Sequence, residues 1–161
     1  MYKFYTGVGS RDIPQEFFDY AVSLGRKLAK LGWILRSGGA SGADTAFQNG
    51  AGKHCTIYLA NQATPQAMAI AEKYHPAWSR CGDYVRKLHG RNAFQVLGAD
   101  LNTPSKFLVC WTIDGAESHR ARCYQTGGTG TAISIASENN IPVFNLTNSV
   151  SRQRLLNFLR Q

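Results

Sequence analysis

The segment YKFYTGVGSR, residues 2–11, joins a strand-like run to a glycine-rich turn. Its first part, Tyr2–Val8, is rich in the aromatic and β-branched residues that are typical of strands. Gly9 to Arg11 break the run, and Pro14 then opens a helix, because proline is tolerated in the first helical turn. Residues 33–44, WILRSGGASGAD, show the same order of strand and glycine-rich turn. The two segments together predict strands that alternate with helices.

The rest of the chain continues this alternation. Apolar residues at helical spacing, such as Ala21, Leu24 and Leu28, predict one buried face for the helix after Pro14. Further strands are predicted at Cys55–Ala60, Lys106–Thr112 and Pro142–Leu146. Further helices are predicted at Asp44–Asn49, from Pro65 to before Pro76, and at Asp83–Gly98, Thr131–Asn139 and Arg152–Arg160. Because strands separated by helices form right-handed βαβ units, the expected fold is α/β: one Rossmann-like domain, residues 1–161, with a doubly wound parallel sheet and helices on both faces.

Composition excludes several broad classes of protein. The 161 residues are 43% hydrophobic and 17% charged, which is unlike a disordered or fibrous chain. No run approaches the roughly 18 apolar residues of a membrane span, and the N-terminus has no signal-peptide pattern. The four cysteines show no CxxC spacing, and Cys55 and Cys110 fall in apolar runs where a small buried side chain is expected. A reduced, cytoplasmic protein with no membrane partner is predicted.

The charge balance favours anionic partners. Eighteen Lys and Arg residues against ten Asp and Glu residues give a net charge of +8. The basic residues concentrate in Lys73–Arg91 and near the C-terminus, at Arg152, Arg154 and Arg160. A solvated basic face would explain any one of these residues, but the excess as a whole indicates nucleic acid, nucleotides or another anionic partner.

Three glycine-rich turns are predicted to meet at one edge of the sheet. They are Gly7–Arg11, Ser37–Asp44 and Thr126–Thr131, and each follows a predicted strand. The carboxyl ends of parallel strands line a single crevice, where open α/β sheets bind ligands. Glycine allows close approach of the backbone, and a following helix N-terminus attracts anions. The sequence therefore predicts a crevice that binds phosphate or nucleotide.

Two charged residues at these turns have two readings each. The Arg11 guanidinium offers a fork of donors to phosphate oxygens, or it forms a surface salt bridge with Asp12 or Glu16. Asp44 either caps its helix or accepts a hydrogen bond from a ribose hydroxyl, and it could also act as a base. The sequence favours the ligand role for Arg11 and leaves Asp44 open.

Other candidates lie on the basic helix and in the loop that precedes the third turn. If the basic helix crosses the crevice mouth, Arg91 would contact phosphate and Asn92 a base edge or backbone group. The loop at residues 119–122 adds two arginines. Trp78, Tyr84 and Trp111 are of the type that stacks on bases, although such aromatics are more often core residues. A metal site at His119 and Cys123 lacks a second pair of ligands, so no metal is expected.

The order of these motifs resembles a known superfamily. GVGSR at 7–11, SGGASGAD at 37–44, GRN at 90–92 and TGGTGTA at 126–132 are similar to the Rossmann-type core of the SLOG superfamily. Within it, the chain most resembles the DNA-processing protein A branch, and especially small stand-alone versions often found in phage genomes. The resemblance covers about residues 4–146.

The resemblance implies a dimerising fold whose glycine-rich rim binds nucleotide phosphates, with single-stranded DNA as the anion in this branch. By motif, the role of lining that pocket falls on Ser10, Arg11 and Arg91. The complete set of candidate phosphate-binding residues is Gly9, Ser10, Arg11, Ser37, Gly38, Gly39, Ser41, Asp44, Arg91, Asn92, Thr126, Gly127, Gly128, Thr129, Gly130 and Thr131. No catalytic residue, metal or cofactor is implied.

The third turn also resembles the Pro-Gly-Gly-x-Gly-Thr-x-x-Glu signature of the phosphoribohydrolase branch. Thr126 replaces the proline, and Ser134 stands where the catalytic glutamate would be. Hydrolysis of that kind is therefore disfavoured, although Asp44 or Glu138 could substitute. The expected function is non-catalytic binding of nucleotide phosphates, free or within single-stranded DNA. The alternatives are a DNA-processing-type recombination mediator, a nucleoside monophosphate N-glycosidic hydrolase, and a structural domain whose charge serves assembly.

Overall fold

The computed structural model of the protein describes residues 2–161. Its strands are β1 (Lys3–Gly9), β2 (Trp33–Ser37), β3 (Cys55–Ile57), β4 (Leu108–Trp111) and β5 (Val143–Asn145). Its α-helices are α1 (Gln15–Lys30), α2 (Ala43–Ala51), α3 (Pro65–Tyr74), α4 (Asp83–Leu97), α5 (Thr129–Glu138) and α6 (Ser149–Leu159). The predicted alternation of strand and helix is confirmed.

The strands form one parallel sheet in the order β3-β2-β1-β4-β5. The chain first adds β2 and β3 on one side of β1. It then crosses back, so that β4 and β5 lie on the other side of β1. The connections that leave β1 and β4 therefore run in opposite directions across the sheet. This switch point opens a crevice beyond the carboxyl ends of those strands, as in other doubly wound sheets.

Each face of the sheet buries its own apolar cluster. On one face, Tyr5 and Phe107 stack with ring centroids 5.4 Å apart and pack with residues of α1, α2 and α6 such as Leu28. On the other face, Val8 packs with residues of α4 and α5 such as Ile133. Central strands covered on both faces are apolar almost throughout, which explains the continuous run in β4.

The first turn begins later than predicted. Gly7 and Gly9 belong to β1 and pair with Val109 and Trp111 of β4. A Cβ atom at position 7 would lie 2.7 Å from Leu35 Cδ1, so the glycine permits close packing between neighbouring elements. The turn proper therefore starts at Ser10.

Several other boundaries differ from the prediction. β3 ends at Ile57 rather than Ala60, because it is an edge strand that pairs with β2 alone before a 3₁₀ turn at Ala60–Gln62. α5 begins at Thr129 rather than Thr131, since Gly128 already has helical backbone angles. α6 begins at Ser149 rather than Arg152.

All four cysteines are free thiols; Cys110 is buried as predicted, whereas Cys55 is only half-buried because β3 lies at the sheet edge. Within residues 2–161, no helix has the length and apolar character needed to span a bilayer.

Candidate functional site

A cavity of about 420 Å³ opens at the switch point of the sheet. Its walls come from the turn after β1, the turn after β2 with the start of α2, the middle of α4, and the turn that leads into α5. The predicted residues that line it are Gly9, Ser10, Arg11, Asp44, Arg91, Asn92, Thr126, Gly127, Gly128 and Thr129. Residues from all three glycine-rich segments are thus brought to one place.

The other six predicted site residues do not line the cavity. Ser37 is buried and donates its hydroxyl to the Gly7 carbonyl oxygen at 2.6 Å. Gly39 and Ser41 are exposed outside it. The remaining three lie beneath or behind its wall: Gly38, Gly130 and Thr131.

Arg11 is exposed at the cavity, and its charge is not neutralised by a neighbour. The alternative interpretation of Arg11, a surface salt bridge with Asp12 or Glu16, is not seen: within residues 2–161, the one ion pair with an N–O distance below 4.0 Å joins Arg154 and Glu117 at 3.7 Å. Burial lowers the pKa of Arg91, Asp44 raises it, and Arg11 contributes a further lowering. The two guanidinium groups therefore repel each other across the cavity, and an anion between them would relieve that repulsion.

Asp44 lies in the first turn of α2 and is buried. Its Oδ2 accepts a hydrogen bond from the Ala40 N–H at 3.3 Å. Burial raises the pKa of Asp44 to about 6, against the lowering effects of Ala40, of the Arg91 charge and of the Gly38 and Gly9 N–H groups. The Asp44 carboxylate is thus influenced by N–H groups of the second turn and by the N–H of Gly9 at the end of β1.

Side chains of helix α4 contact both the second and the third turn. Arg91 Nη1 donates to the Gly38 carbonyl oxygen at 2.7 Å and to the Tyr58 carbonyl oxygen at 3.5 Å. One residue further on, Asn92 Nδ2 donates to the Gly128 carbonyl oxygen at 3.5 Å. Both side chains line the cavity, and each also fixes the turn that it contacts.

The third turn leaves backbone donors open at the N-terminus of α5. Gly128 occupies the N-cap position and supplies no side-chain cap. The N–H groups of Gly128 and Thr129 have no acceptor among residues 2–161, and both residues line the cavity. Open N–H groups and the positive end of the helix dipole together attract an anion.

Asp114 holds the third turn in place through hydrogen bonds to its carboxylate. Its carboxylate accepts hydrogen bonds from the hydroxyls of Thr126 and Thr112 and from the Cys123 thiol. Partial burial alone would raise the pKa of Asp114, but these hydrogen bonds outweigh it and hold the pKa below its usual range. The Thr126 hydroxyl is therefore committed to the turn, although the residue lines the cavity.

His89 lines the cavity two residues before Arg91 on α4, although it was not among the predicted site residues. Its Nδ1 lies 2.9 Å from the Thr131 hydroxyl, and its ring meets the His75 ring edge-on at 4.4 Å between centroids. Burial lowers the pKa of His89 to about 4, with smaller contributions from His75, Arg122 and Arg91. The imidazole is therefore neutral near pH 7, and His89 adds no positive charge to the cavity.

Sequence reasoning missed Gln95 completely. This α4 residue lines the cavity, yet it is only 1% exposed, and neither its Oε1 nor its Nε2 has a hydrogen-bond partner in the described residues. The other lining residues that the prediction lacked are Val8, Asp12, Ala40, Leu88, Gln125 and Ala132. The signal that could have identified Gln95 is its position as a polar residue within the buried, otherwise apolar run from Ala93 to Leu97.

Ser134, at the position of the phosphoribohydrolase glutamate, is buried and does not line the cavity. Its hydroxyl lies 2.8 Å from His119 Nδ1 and accepts from Arg122 Nη1 at 3.0 Å. His119 is thus joined to Ser134, whereas Cys123 donates to Asp114. Among residues 2–161, no group of three or more His, Cys, Asp or Glu side chains is placed to hold a metal ion.

The three aromatic candidates have different surroundings. Trp111 is buried in the core against Phe17, with ring centroids 5.9 Å apart, so it does not offer a stacking surface. Trp78 is half-buried under Arg86. Tyr84, by contrast, is 66% exposed on the same helix as Arg91. Tyr124, next to the cavity residue Gln125, is 99% exposed.

The comparisons with known proteins support the fold. No family profile matches the chain, and no curated protein matches its sequence. A solved structure of DNA processing protein A from Helicobacter pylori, described for its single-stranded DNA binding mode, is similar with a TM-score of 0.58. The similarity covers 97% of this chain and 72% of that chain at 18% sequence identity. The chain therefore has a Rossmann-type fold like that of DNA processing protein A.

Proposed function

We propose that this protein binds nucleotide phosphates without catalysis, and that single-stranded DNA is its ligand. One observation carries the proposal: Gly128 and Thr129, whose N–H groups have no acceptor among the described residues, line the same cavity as the unpaired Arg11. A phosphate there would receive backbone hydrogen bonds, helix-dipole stabilisation and a guanidinium partner together. The location at the switch point of the sheet agrees with the usual ligand site of doubly wound folds.

Three features favour a polymer over a free nucleotide. The net charge of +8 exceeds what one phosphate requires. Tyr84, on the same helix as Arg91, and Tyr124, next to the cavity residue Gln125, expose their rings to solvent, where bases can stack on them. The structural neighbour from Helicobacter pylori is described as binding single-stranded DNA. We further propose that residues 1–161 act as one domain that self-associates, as the resemblance implies; sedimentation velocity tests the self-association.

The binding experiment is fluorescence anisotropy with a labelled oligo-dT of about twelve nucleotides, at low and at physiological salt. We expect Arg11→Ala to weaken binding at least tenfold and to reduce the slope of affinity against salt concentration, since a phosphate contact releases counterions. Arg26→Ala is the matched control, because Arg26 is an exposed arginine on α1, outside the cavity.

Equal losses in both variants would indicate diffuse attraction to the basic surface and would contradict a specific phosphate site. No binding by the wild type at low salt would exclude DNA as the ligand. A panel of free nucleotides would then test the same cavity.

The buried Asp44 supports a second candidate function, cleavage of the N-glycosidic bond of a nucleoside monophosphate. A carboxyl group with a pKa raised to about 6 is of the kind that serves as general acid or base near neutral pH. This candidate predicts release of free base, and its loss in Asp44→Asn while binding persists. Intact nucleotides after long incubation would exclude it.

A further inference from the structure

Half of the buried side-chain polar atoms that lack a hydrogen-bond partner in the described chain belong to residues that line the cavity. Among residues 2–161, six buried side-chain nitrogen or oxygen atoms have no hydrogen-bond partner, and three of them belong to Arg91 and Gln95. Both residues line the cavity. Buried polar atoms are nearly always paired, so a cluster of orphans at one cavity indicates groups held ready for a ligand.

Gln95 is fixed in place by its own backbone. Its carbonyl oxygen accepts hydrogen bonds from the Thr6 hydroxyl at 2.6 Å and the Ser105 hydroxyl at 3.4 Å. Its carboxamide lies beside the second turn, where a Cβ atom at position 38 would approach Nε2 to 2.6 Å. The glycine at position 38 therefore makes room for the carboxamide at the inner wall of the cavity.

We propose that Gln95 is the residue that reads the base of the bound nucleotide. Its carboxamide would pair with a base edge that presents one donor next to one acceptor, while the phosphate lies at Arg11 and the start of α5. This inference rests on the proposed function, because it needs a nucleotide in the cavity. It goes further in assigning the recognition of the base to Gln95, beside the second turn.

The chemistry of the side chain selects a base over a phosphate. A carboxamide has both a donor, Nε2, and an acceptor, Oε1, and it carries no charge. Phosphate oxygens accept only, so Oε1 would stay unpaired beside them, and the nearby Asp44 carboxylate would repel them. The pairing edges of nucleobases present donors and acceptors side by side, and Gln is a common partner of such edges.

The proposal also explains why an unsatisfied group persists in the interior. An orphaned buried amide destabilises the folded state, and an apolar residue of the same shape would remove that penalty. A residue kept for a structural purpose would stabilise the fold instead. Stability and ligand affinity should therefore respond in opposite directions when Gln95 loses its polar atoms.

The test compares the wild type with Gln95→Met, which preserves length and flexibility but removes both polar atoms. Gln66→Met is the matched control, since Gln66 is exposed on α3, outside the cavity. The probes are an oligo-dT of about twelve nucleotides and an abasic oligomer with the same number of phosphates. Thymidine 5′-monophosphate and deoxyribose 5-phosphate repeat the comparison for one nucleotide. Affinities come from calorimetry, and melting temperatures are recorded for every variant.

We expect Gln95→Met to lower affinity for the base-containing probes about tenfold, to leave the abasic probes unchanged, and to keep or raise the melting temperature. An equal loss for base-containing and abasic probes would place Gln95 on the sugar or phosphate and overturn the inference. Unchanged affinities would overturn it too, while the proposed function would stand. Failure of the wild type to bind any probe would overturn both.

Discussion

The first two glycine-rich turns and the third look alike in sequence but use their backbone N–H groups differently. In the segments of the first two, the Ala40 N–H donates to the Asp44 carboxylate, and the N–H groups of Gly38 and of Gly9 at the end of β1 lower its pKa. In the third, the N–H groups of Gly128 and Thr129 at the start of α5 have no acceptor among the described residues. One side of the cavity therefore contains an internal anion, whereas the other side can accept an external one.

This difference shows that a glycine-rich turn does not by itself define a phosphate site. Glycine at positions 7 and 38 is explained by close approach of other elements, not by ligand binding. What identifies the third turn is that Gly128 and Thr129 line the cavity while their N–H groups have no acceptor among the described residues. An anion site requires donors that the protein has not already satisfied.

The largest expected effect comes from giving the third turn an internal anion as well. In Gly128→Asp, a carboxylate at the N-cap would place a negative charge beside the open N–H groups, accept from the N–H groups of the first turn of α5 and repel phosphate. We expect affinity for oligo-dT to fall by more than about tenfold without loss of stability, because a Cβ atom at position 128 would have its nearest neighbour at 4.0 Å.

Gly128→Ala is the control, because it adds a Cβ atom but leaves the N–H groups open. Anisotropy titrations and thermal melts on both variants check the prediction. An unchanged affinity in Gly128→Asp would mean that phosphate does not bind at the start of α5.

Filling the space at the second turn should act mainly on stability. In Gly38→Ala, the new methyl group would meet Gln95 Nε2 at 2.6 Å and Arg91 Cζ at 2.7 Å. We expect the free energy of unfolding to fall by about 1–3 kcal/mol, as for other overpacked interiors. Gly82→Ala is the control, since nothing lies within 4 Å of a Cβ atom there. Equal unfolding free energies in urea would show that the second turn yields easily.

The smallest expected effect is a pH dependence caused by Asp44. Its raised pKa means that the carboxyl group is protonated below about pH 6 and charged above it. The charged carboxylate repels a phosphate in the same cavity, so affinity for oligo-dT should rise several-fold between pH 7.5 and 5.5. Phosphodiesters and thymine do not titrate in this range. His89 remains neutral in this range because its pKa is lowered to about 4.

The same shift affects stability in a defined direction. The folded state holds a proton on Asp44 that the unfolded chain releases between about pH 4 and 6, so stability should decrease as the pH rises through that window. Asp44→Asn should remove this contribution and flatten the affinity profile. An affinity profile that keeps its shape in Asp44→Asn would assign the pH dependence to another group.

The fold was predictable from the sequence because it depends on local patterns. The apolar run at Lys106–Thr112 predicted a central parallel strand, and Pro14 and Pro65 marked helix starts correctly within a residue. The errors fell at element ends, where tertiary contacts decide. Gly9 was assigned to a turn, but pairing with Trp111 keeps it in β1.

The site was predictable only in part, because its chemistry depends on contacts between distant segments. Arg11 could be identified from its position after a strand, but its lack of an ion pair could not. The buried run around Gln95 resembled ordinary helix core, and its meeting with Gly38 joins residues far apart in sequence. Likewise, no local pattern around Asp44 indicated that N–H groups from two separate segments of the chain would act on its carboxylate.

The most direct test of the account is an amide NMR titration of the ¹⁵N-labelled protein with oligo-dT. We expect the largest shifts at Gly128 and Thr129, whose N–H groups would gain a phosphate acceptor. Ala40, Gly38 and Gly9 should shift less, because their N–H groups already stabilise Asp44. Larger shifts at Ala40 and Gly38 than at Gly128 and Thr129 would contradict the account and place the anion at the first two turns.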